Sequence, residues 1–210
     1  MMQLNIQGDP GTGNRYDEVS MESVASYNPN AHNVNIHNHQ AARQSRLAGW
    51  FQKLKDESTT NMRLNKKLDD IKRYRTKLPR TIGLEAKLRD GGFSATEIET
   101  AKRSKMYFAK KSTKFQFYES AQRIDSYLFA KVAHSFDTYV MPLIISARPL
   151  AEVKQAVHEH VVSPIIDELN DNGYDDDCLC YDTDNIYGML YYLTGNCHIN
   201  WTNYDVHTSI

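Results

Sequence analysis

The most regular segment of the chain reads Phe117-Tyr-Glu-Ser-Ala-Gln-Arg-Ile-Asp-Ser-Tyr-Leu-Phe-Ala-Lys-Val132. Its apolar residues recur at every third or fourth position as far as Leu143, which is the period of an α-helix. Further aromatic residues widen this apolar face: Phe115, Tyr118, Tyr127 and Tyr139. Pro142 lacks an amide hydrogen, so we expect the helix to bend or end there. The segment therefore predicts a long central helix on which other elements pack.

Two apolar stripes with helical spacing precede the central helix, one from Leu47 to Leu54 and the other from Leu64 to Leu78. Both lie in a part of the chain that is rich in lysine and arginine. The polar residues 58–61 between the stripes predict a break and a new helix start. We therefore expect a basic helical hairpin with antiparallel helices.

Capping residues predict the other helix boundaries. Ser94-Ala-Thr-Glu97 has the sequence of a capping box and should open a further basic helix. Ser163 directly before Pro164 predicts the start of another helix. Asp184 should cap the last helix, and Gly195 should end it in a left-handed conformation. Together with the central helix, these signals predict an all-α fold in the form of a helical bundle.

Composition divides the chain into three regions. Residues 1–40 are rich in Asn, Gly and His and contain two short alternating stretches, so they predict a β-prone or disordered segment. Isolated short strands are marginally stable, so another copy of the chain or a partner should complete this segment where it orders. Residues 41–112 form the basic helical region, and residues 113–203 form a helical C-terminal domain.

The net charge of −1 conceals a strong asymmetry. Residues 42–114 carry 20 Lys and Arg against 8 Asp and Glu, a balance of +12. Residues 115–210 carry 4 against 14, a balance of −10. This division has two interpretations. Either the basic helices pack on the acidic half and neutralise it, or the basic half faces an acidic partner such as nucleic acid or another subunit.

The sequence also bears on the cellular compartment. No apolar run approaches the roughly 20 residues that a membrane-spanning helix requires. The N-terminus lacks the basic and apolar parts of a secretory signal, and three cysteines do not suggest a disulfide framework. We therefore expect a cytoplasmic protein that does not span a membrane.

No motif in the chain specifies an enzyme. Gly8 and Gly13 have the glycine spacing of a P-loop, but Asn14-Arg15 follow where lysine and then serine or threonine are needed. His158 and His160 would point to different sides of a helix and could not share a metal ion. We therefore predict a non-enzymatic protein with no cofactor and no metal.

One metal site stays open as an alternative, because Cys178, Cys180, Cys197 and His198 could supply four zinc ligands. Their spacing departs from the usual pairs of cysteines separated by two to four residues. In the other interpretation, Cys197 is a small buried residue and His198 is a hydrogen-bonded histidine of the core or of an interface.

A second candidate site is formed by the cations between residues 63 and 114. Those on one flank, with one interleaved tyrosine, are Lys66, Lys67, Arg73, Tyr74, Lys77 and Arg80. Cations at this density could neutralise several phosphates and bind nucleic acid in a salt-dependent, sequence-neutral manner. No helix-turn-helix or zinc-finger pattern accompanies them. Nucleic-acid binding is therefore the alternative function.

Two segments of the chain resemble a known family. The first is Lys114 to Val132 with Phe136, Tyr139-Val140 and Pro142 to Ile144 after it, and the second is Gly188-Met-Leu-Tyr-Tyr-Leu-Thr-Gly-Asn-Cys-His-Ile-Asn-Trp201. Over roughly residues 105–201 they resemble the C-terminal domains of bacterial three-component ABC-ATPase conflict systems, a Lamassu-like group of anti-phage defences.

The resemblance implies a helical, non-catalytic domain that couples an effector to a partner ATPase, of SMC-like or ABC type, which monitors DNA. The signature positions would be Met189, Thr194, Gly195, Asn196, Cys197, His198 and Trp201, and they would shape a structural or docking surface. No nuclease or protease effector precedes the domain here, where the basic helices and the Asn-rich segment stand instead. We therefore expect a stand-alone protein-interaction adaptor of a bacterial defence or mobile-element system.

Overall fold

A computed structural model describes residues 45–64, 68–76 and 82–203, and every regular element within these ranges is helical. The α-helices are α1 (Arg46–Thr59), α2 (Asp69–Arg75), α3 (Leu84–Asp90), α4 (Ala95–Lys114), α5 (Glu119–Ser135), α6 (Met141–Ile145), α7 (Leu150–Val157), α8 (Ser163–Gly173) and α9 (Thr183–Gly195). The predicted all-α fold is thus confirmed for these ranges. The segment 1–40, predicted to be β-prone or disordered, lies outside the described residues.

Helix α5 is the predicted central helix. Its residues Ile124, Leu128, Phe129 and Val132 are fully enclosed, and its neighbours include α1, α2 and α9. Each such side chain contributes about 1.5–3 kcal/mol to stability when folding removes it from water. The apolar period of the sequence therefore identified the element that organises the core.

Two π-helical turns, Phe136–Val140 and His158–Val162, interrupt the long helices, and each lies two residues before a proline. The amide of Met141, before Pro142, donates to the carbonyl of Phe136, five residues back. In a regular α-helix the proline ring would clash with the carbonyl four residues back, and the wider turn avoids this clash. Pro164 therefore lies within one continuous helical stretch from 150 to 173, and the side-chain cap predicted for Ser163 is not formed.

Helices α1 and α2 are the two predicted basic helices, but both pack mainly against α5, and α1 also contacts α8. Their buried apolar residues are Leu47, Phe51, Leu54, Ile71 and Tyr74. Each of these stripes is narrow, whereas α5 offers a wide apolar face. The two helices are therefore docked on a common neighbour instead of forming a self-contained hairpin.

The most extensive helix–helix contact joins α4 and α9. Gly188 permits it, because a Cβ atom at this position would lie 2.8 Å from Cβ of Phe108 and closer still to the carbonyl oxygen of Ser104. Phe108 is fully buried and meets Phe129 of α5 edge to face, with ring centroids 5.7 Å apart. The predicted basic region (residues 41–112) and the predicted C-terminal domain (residues 113–203) therefore contribute side chains to one common core.

The helix cap predicted from the sequence is formed at α4, whereas a different residue caps α9. The capping box is formed: the Ser94 amide donates to Glu97 Oε2 at 2.8 Å, and the Glu97 amide donates to Ser94 Oγ at 3.4 Å. At α9 the cap is Asp182, whose carboxylate accepts from the Asn185 amide at 2.8 Å. The predicted cap, Asp184, lies in the first turn, where its charge still favours the N-terminal end of the helix dipole.

We predict that Glu97→Gln lowers the free energy of unfolding by about 0.5–1 kcal/mol at neutral pH, because glutamine keeps the capping acceptor but loses the charge that pairs with Lys154 and favours the helix N-terminus. Hydrogen bonds from Lys154 and then from Ser94 lower the pKa of Glu97 to about 2, against an ordinary value of 4.5. Because the folded-state pKa is lowered, this stabilisation is present above pH 4.5 and is lost as the pH falls towards 2. Urea denaturation of both proteins at neutral pH and at about pH 3 checks this. A difference that stays constant with pH would contradict it.

Candidate interaction site

The C-terminal end of α9 closes with two backbone hydrogen bonds. The His198 amide donates to the Leu193 carbonyl at 3.0 Å, and the Cys197 amide donates to the Thr194 carbonyl at 3.2 Å. This pair of bonds is a Schellman motif. Its left-handed residue is Cys197, with φ of 71°, and not Gly195, which is the last residue of the helix. The left-handed residue therefore lies two positions after the predicted one, Gly195.

Trp201 anchors the segment after α9. Its indole N–H donates to Thr194 Oγ1 at 3.1 Å, and Thr194 donates in turn to the Leu190 carbonyl at 3.0 Å. The indole ring meets Phe93 and Phe136 edge to face, at centroid distances of 4.8 and 5.1 Å. The segment therefore folds back and seals the core between α3 and the end of α5.

We call residues 196–201 the closing segment. Its Asn196 and His198 connect it to α2. The Asn196 side-chain amide donates to the Tyr74 carbonyl at 2.9 Å. The His198 ring stands edge to face on the Tyr74 ring, with centroids 5.4 Å apart, and burial lowers the pKa of His198. Its Nε2 atom is buried and has no hydrogen-bond partner among the described residues.

Lys87 of α3 is a buried cation under the same segment. Only 3% of its surface is exposed, and its ammonium group donates to the Ile199 carbonyl at 3.0 Å. Burial lowers the pKa of Lys87, and the neighbouring Cys197 thiol partly opposes that change. The lysine thus holds the closing segment against α3 through one charge-assisted hydrogen bond.

Helix α6 and its surroundings form an apolar part of the described exterior. The sequence Met141-Pro-Leu-Ile-Ile145 is wholly apolar, yet none of its residues is buried. Ile145 is 58% exposed and Tyr139, just before α6, is 51% exposed. We call Tyr139, residues 141–145 and Leu150 the α6 surface.

The described helices include none that is long and apolar enough to span a membrane.

A groove continues the α6 surface across the closing segment. Its lining includes Ile144, Ile145, Leu150, Val153 and Trp201. Arg148 also lines the groove and forms an ion pair with Glu152, with an N–O distance of 2.7 Å. Asp90, Thr202 and Asn203 also line the groove, and such a mixture of apolar and polar residues is compatible with a protein-binding site.

The profile of C-terminal domain 9 of the ABC-three component (ABC-3C) systems matches residues 83–201. The chain belongs to this family. The match begins directly before α3 and ends at Trp201, so it contains both the closing segment and the α6 surface. It supports the three-component family and gives no support to the narrower Lamassu-like group. Comparison with curated proteins and with solved structures gave no match.

The residues expected to be signature positions lie in or against the core of the ABC-3C domain. The buried ones are Met189, Thr194, Gly195, Asn196 and Trp201. Cys197 and His198 are half-buried. Their contacts explain how the closing segment is held in place, and a docking role for them stays a prediction.

The four zinc ligands considered as an alternative do not converge. Cys178 and Cys180 lie in the loop before α9, where the Asp176 carboxylate accepts from both of their amides, whereas Cys197 and His198 lie beyond its other end. The one cluster of three ligand atoms within 4.8 Å, in the ranges that the structure describes, is Asp176, Asp177 and Cys178. The geometry therefore does not support a zinc site at the predicted residues.

One cluster that the sequence did not reveal places a serine hydroxyl beside a histidine, as in a nucleophile–base pair, but without the carboxylate of a catalytic triad. His158 Nε2 lies 3.5 Å from Ser163 Oγ, and His158 Nδ1 lies 3.4 Å from the Tyr187 hydroxyl. Both distances are long for hydrogen bonds, and His158 is exposed to water. His158 and Ser163 are five residues apart across a π-helical turn, and this spacing is not a sequence pattern that indicates such a contact. The arrangement does not favour nucleophilic catalysis.

A second feature that the sequence did not reveal is a buried polar network around Asp125. Its carboxylate accepts hydrogen bonds from Ser112 at 2.5 Å, Tyr181 at 2.5 Å and Arg75 at 3.2 Å. Burial raises the pKa of Asp125, and these three donors oppose that rise. The network links α2, α4, α5 and the loop before α9, so it stabilises their packing.

The nucleic-acid candidates are only partly described. Lys66, Lys67, Lys77 and Arg80 lie outside the described residues. Arg73 is exposed, with its guanidinium 4.4 Å from the centroid of the Tyr74 ring. Tyr74 is 6% exposed and packs on Phe129. Its ring therefore belongs to the core and cannot stack on a nucleic-acid base.

Proposed function

We propose that this ABC-3C domain is a non-enzymatic, cytoplasmic interaction module of a bacterial defence or mobile-element system. It docks a partner ATPase of its system through the α6 surface. The observation that carries the proposal is the run of five consecutive apolar residues in α6, of which Pro142 and Ile145 are exposed and the other three are only partly buried. A contiguous apolar patch on the exterior is typical of protein–protein contact sites. Membership of a three-component system supports the presence of protein partners.

The geometry supports docking of a helix or loop across α6. Ile145 at the end of the run and Tyr139, two residues before its start, are about half exposed, so each offers a large side chain as an anchor. The Tyr139 ring also stacks on that of His160, with centroids 5.0 Å apart. The groove lined by Ile144, Ile145 and Leu150 offers a recess beside the Ile145 anchor. Burial of this surface by a partner would remove apolar area from water without breaking a contact of the folded domain.

We predict that Ile145→Glu weakens binding of the partner ATPase at least about tenfold, because a charge would then be buried in an apolar contact. The measurement is isothermal titration calorimetry with the ATPase of the same three-component system. Thermal unfolding of the variant should match that of the unaltered protein, since Ile145 is 58% exposed.

Met62→Glu is the matched control, because Met62 is 65% exposed and lies in the loop after α1. The control should bind within about twofold of the unaltered protein. The proposal fails if Ile145→Glu binds as tightly as Met62→Glu, or if the ATPase does not bind the unaltered protein.

A further inference from the structure

Helix α4 carries a second exposed surface, on the side that faces away from α9. Arg103, Met106, Tyr107, Lys110 and Lys114 are all exposed and follow the spacing i, i+3, i+4, i+7 and i+11. At 100° per residue these positions fall within about 100° of the helix circumference. The buried residues of α4, which are Ile98, Ala101, Phe108 and Ser112, lie on the opposite side. We call the five exposed residues the α4 stripe.

The cations of the α4 stripe have no carboxylate partner among the described residues. Arg103 donates to the Thr100 hydroxyl at 3.3 Å, and Lys114 lies over the Phe115 ring. Several other cations of the described surface are paired, for example Lys102 with Glu85 at 2.8 Å. The α4 stripe therefore keeps its positive charge.

The centre of the stripe is apolar. Met106 is 54% exposed and Tyr107 is 51% exposed, and cations lie on either side of them along the helix. The Lys111 ammonium is 5.4 Å from the centroid of the Tyr107 ring and covers one face of that ring. Phosphate binding does not need a methionine at its centre, and base stacking needs a free aromatic face. These features favour a polypeptide over nucleic acid.

We propose that the α4 stripe binds an acidic amphipathic helix of a partner protein. The stripe is about 16 Å long and straight, which matches the exposed face of three turns of a second helix. Apolar residues of that helix would pack on Met106 and Tyr107, and carboxylates on its flanks would pair with Arg103, Lys110 and Lys114. This surface is separate from the α6 surface, so the inference goes beyond the proposed function.

The test uses the full chain and three probes in fluorescence anisotropy titrations at low and high salt. The probes are a synthetic helical peptide of about three heptads with leucine at the seam and glutamate on the flanks, the same peptide with lysine for glutamate, and a short DNA duplex. We expect the glutamate peptide to bind at low salt and the lysine peptide not to bind. Failure of the ATPase to bind at the α6 surface would leave this result unchanged.

Variants separate the contributions to binding. Met106→Ser with Tyr107→Ser, and separately Arg103→Glu with Lys110→Glu, should each weaken binding of the glutamate peptide about tenfold or more. The charge reversal should also allow the lysine peptide to bind. Arg46→Glu with Lys55→Glu on α1 is the matched control and should change affinity less than about twofold.

Three results would overturn the proposal. The first is absence of binding of the glutamate peptide even at low salt. The second is equal binding of both peptides, which would show that charge does not select the partner. The third is tighter binding of the DNA duplex that survives Met106→Ser with Tyr107→Ser but not the charge reversal, which would identify a phosphate-binding surface.

Discussion

Replacing Gly188 with alanine is expected to lower the free energy of unfolding by about 3 kcal/mol. The added Cβ would lie 2.8 Å from Cβ of Phe108 and 3.0 Å from the backbone carbonyl carbon of Ser104. Neither is the end of a flexible side chain, so α4 and α9 would have to move apart. Their contact is the most extensive between helices of the described fold, so this movement would also loosen the core around Phe108.

Gly49→Ala in α1 is the control for helix propensity. No heavy atom lies within 4 Å of the position that a Cβ would occupy at Gly49. Alanine there should raise stability by about 0.5–1 kcal/mol, because it restricts the unfolded chain and favours the helix. Urea denaturation followed by far-ultraviolet circular dichroism measures both variants. Equal stability of the Gly188 and Gly49 variants would show that α4 and α9 are not in close contact.

The elements that the sequence predicted well are those set by local periodicity. The central stripe through Ile124 and Leu128 predicted α5, because a repeat of 3.6 residues identifies the buried face wherever the partner lies. The capping box from Ser94 to Glu97 predicted the start of α4, since both of its hydrogen bonds join residues three positions apart. Local signals of this kind need no knowledge of the tertiary fold.

The α6 surface could not be predicted from the sequence. A π-helical turn before α6 rotates the following residues about the helix axis, so the apolar stripe no longer marks the buried face. The apolar stripe that begins at Phe117 continues in sequence to Leu143, so Leu143 was expected on the buried face. The turn from Phe136 to Val140 contains an extra residue and rotates the next helical turn about the helix axis. Val140 is still buried, whereas Leu143 is only partly buried and Ile145 is mostly exposed.

Sites that depend on contacts far apart in sequence were also missed. Ser112 and Asp125 are polar residues within helices, where the local pattern predicts exposure to water. Their burial follows from Arg75 and Tyr181, which are brought beside them by packing. Tyr74 was grouped with surface cations for the same reason, although Asn196 and Phe129 hold it in the core.

Asp125→Ala is expected to lower the free energy of unfolding by about 3–5 kcal/mol. The variant leaves the Arg75 guanidinium, whose side chain is 13% exposed, without its carboxylate partner. It also removes the acceptor of the Tyr181 hydroxyl; burial and the adjacent Asp125 carboxylate raise the pKa of Tyr181 well above its ordinary value. An isolated buried cation and an unsatisfied hydroxyl are both unfavourable, so the effect should exceed that of an ordinary surface change.

A double variant shows how much of this loss comes from leaving one charge of the Arg75–Asp125 pair without its partner. Arg75→Met with Asp125→Leu removes both charges and keeps most of the volume, so its loss of stability should be smaller than the sum of the two single changes to alanine. Asp171→Ala, at an exposed position on α8, should change stability by less than about 0.5 kcal/mol. Chemical denaturation of the variants and the unaltered protein measures these differences. A loss below about 1 kcal/mol for Asp125→Ala would show that the carboxylate does not connect α2, α4 and the loop before α9.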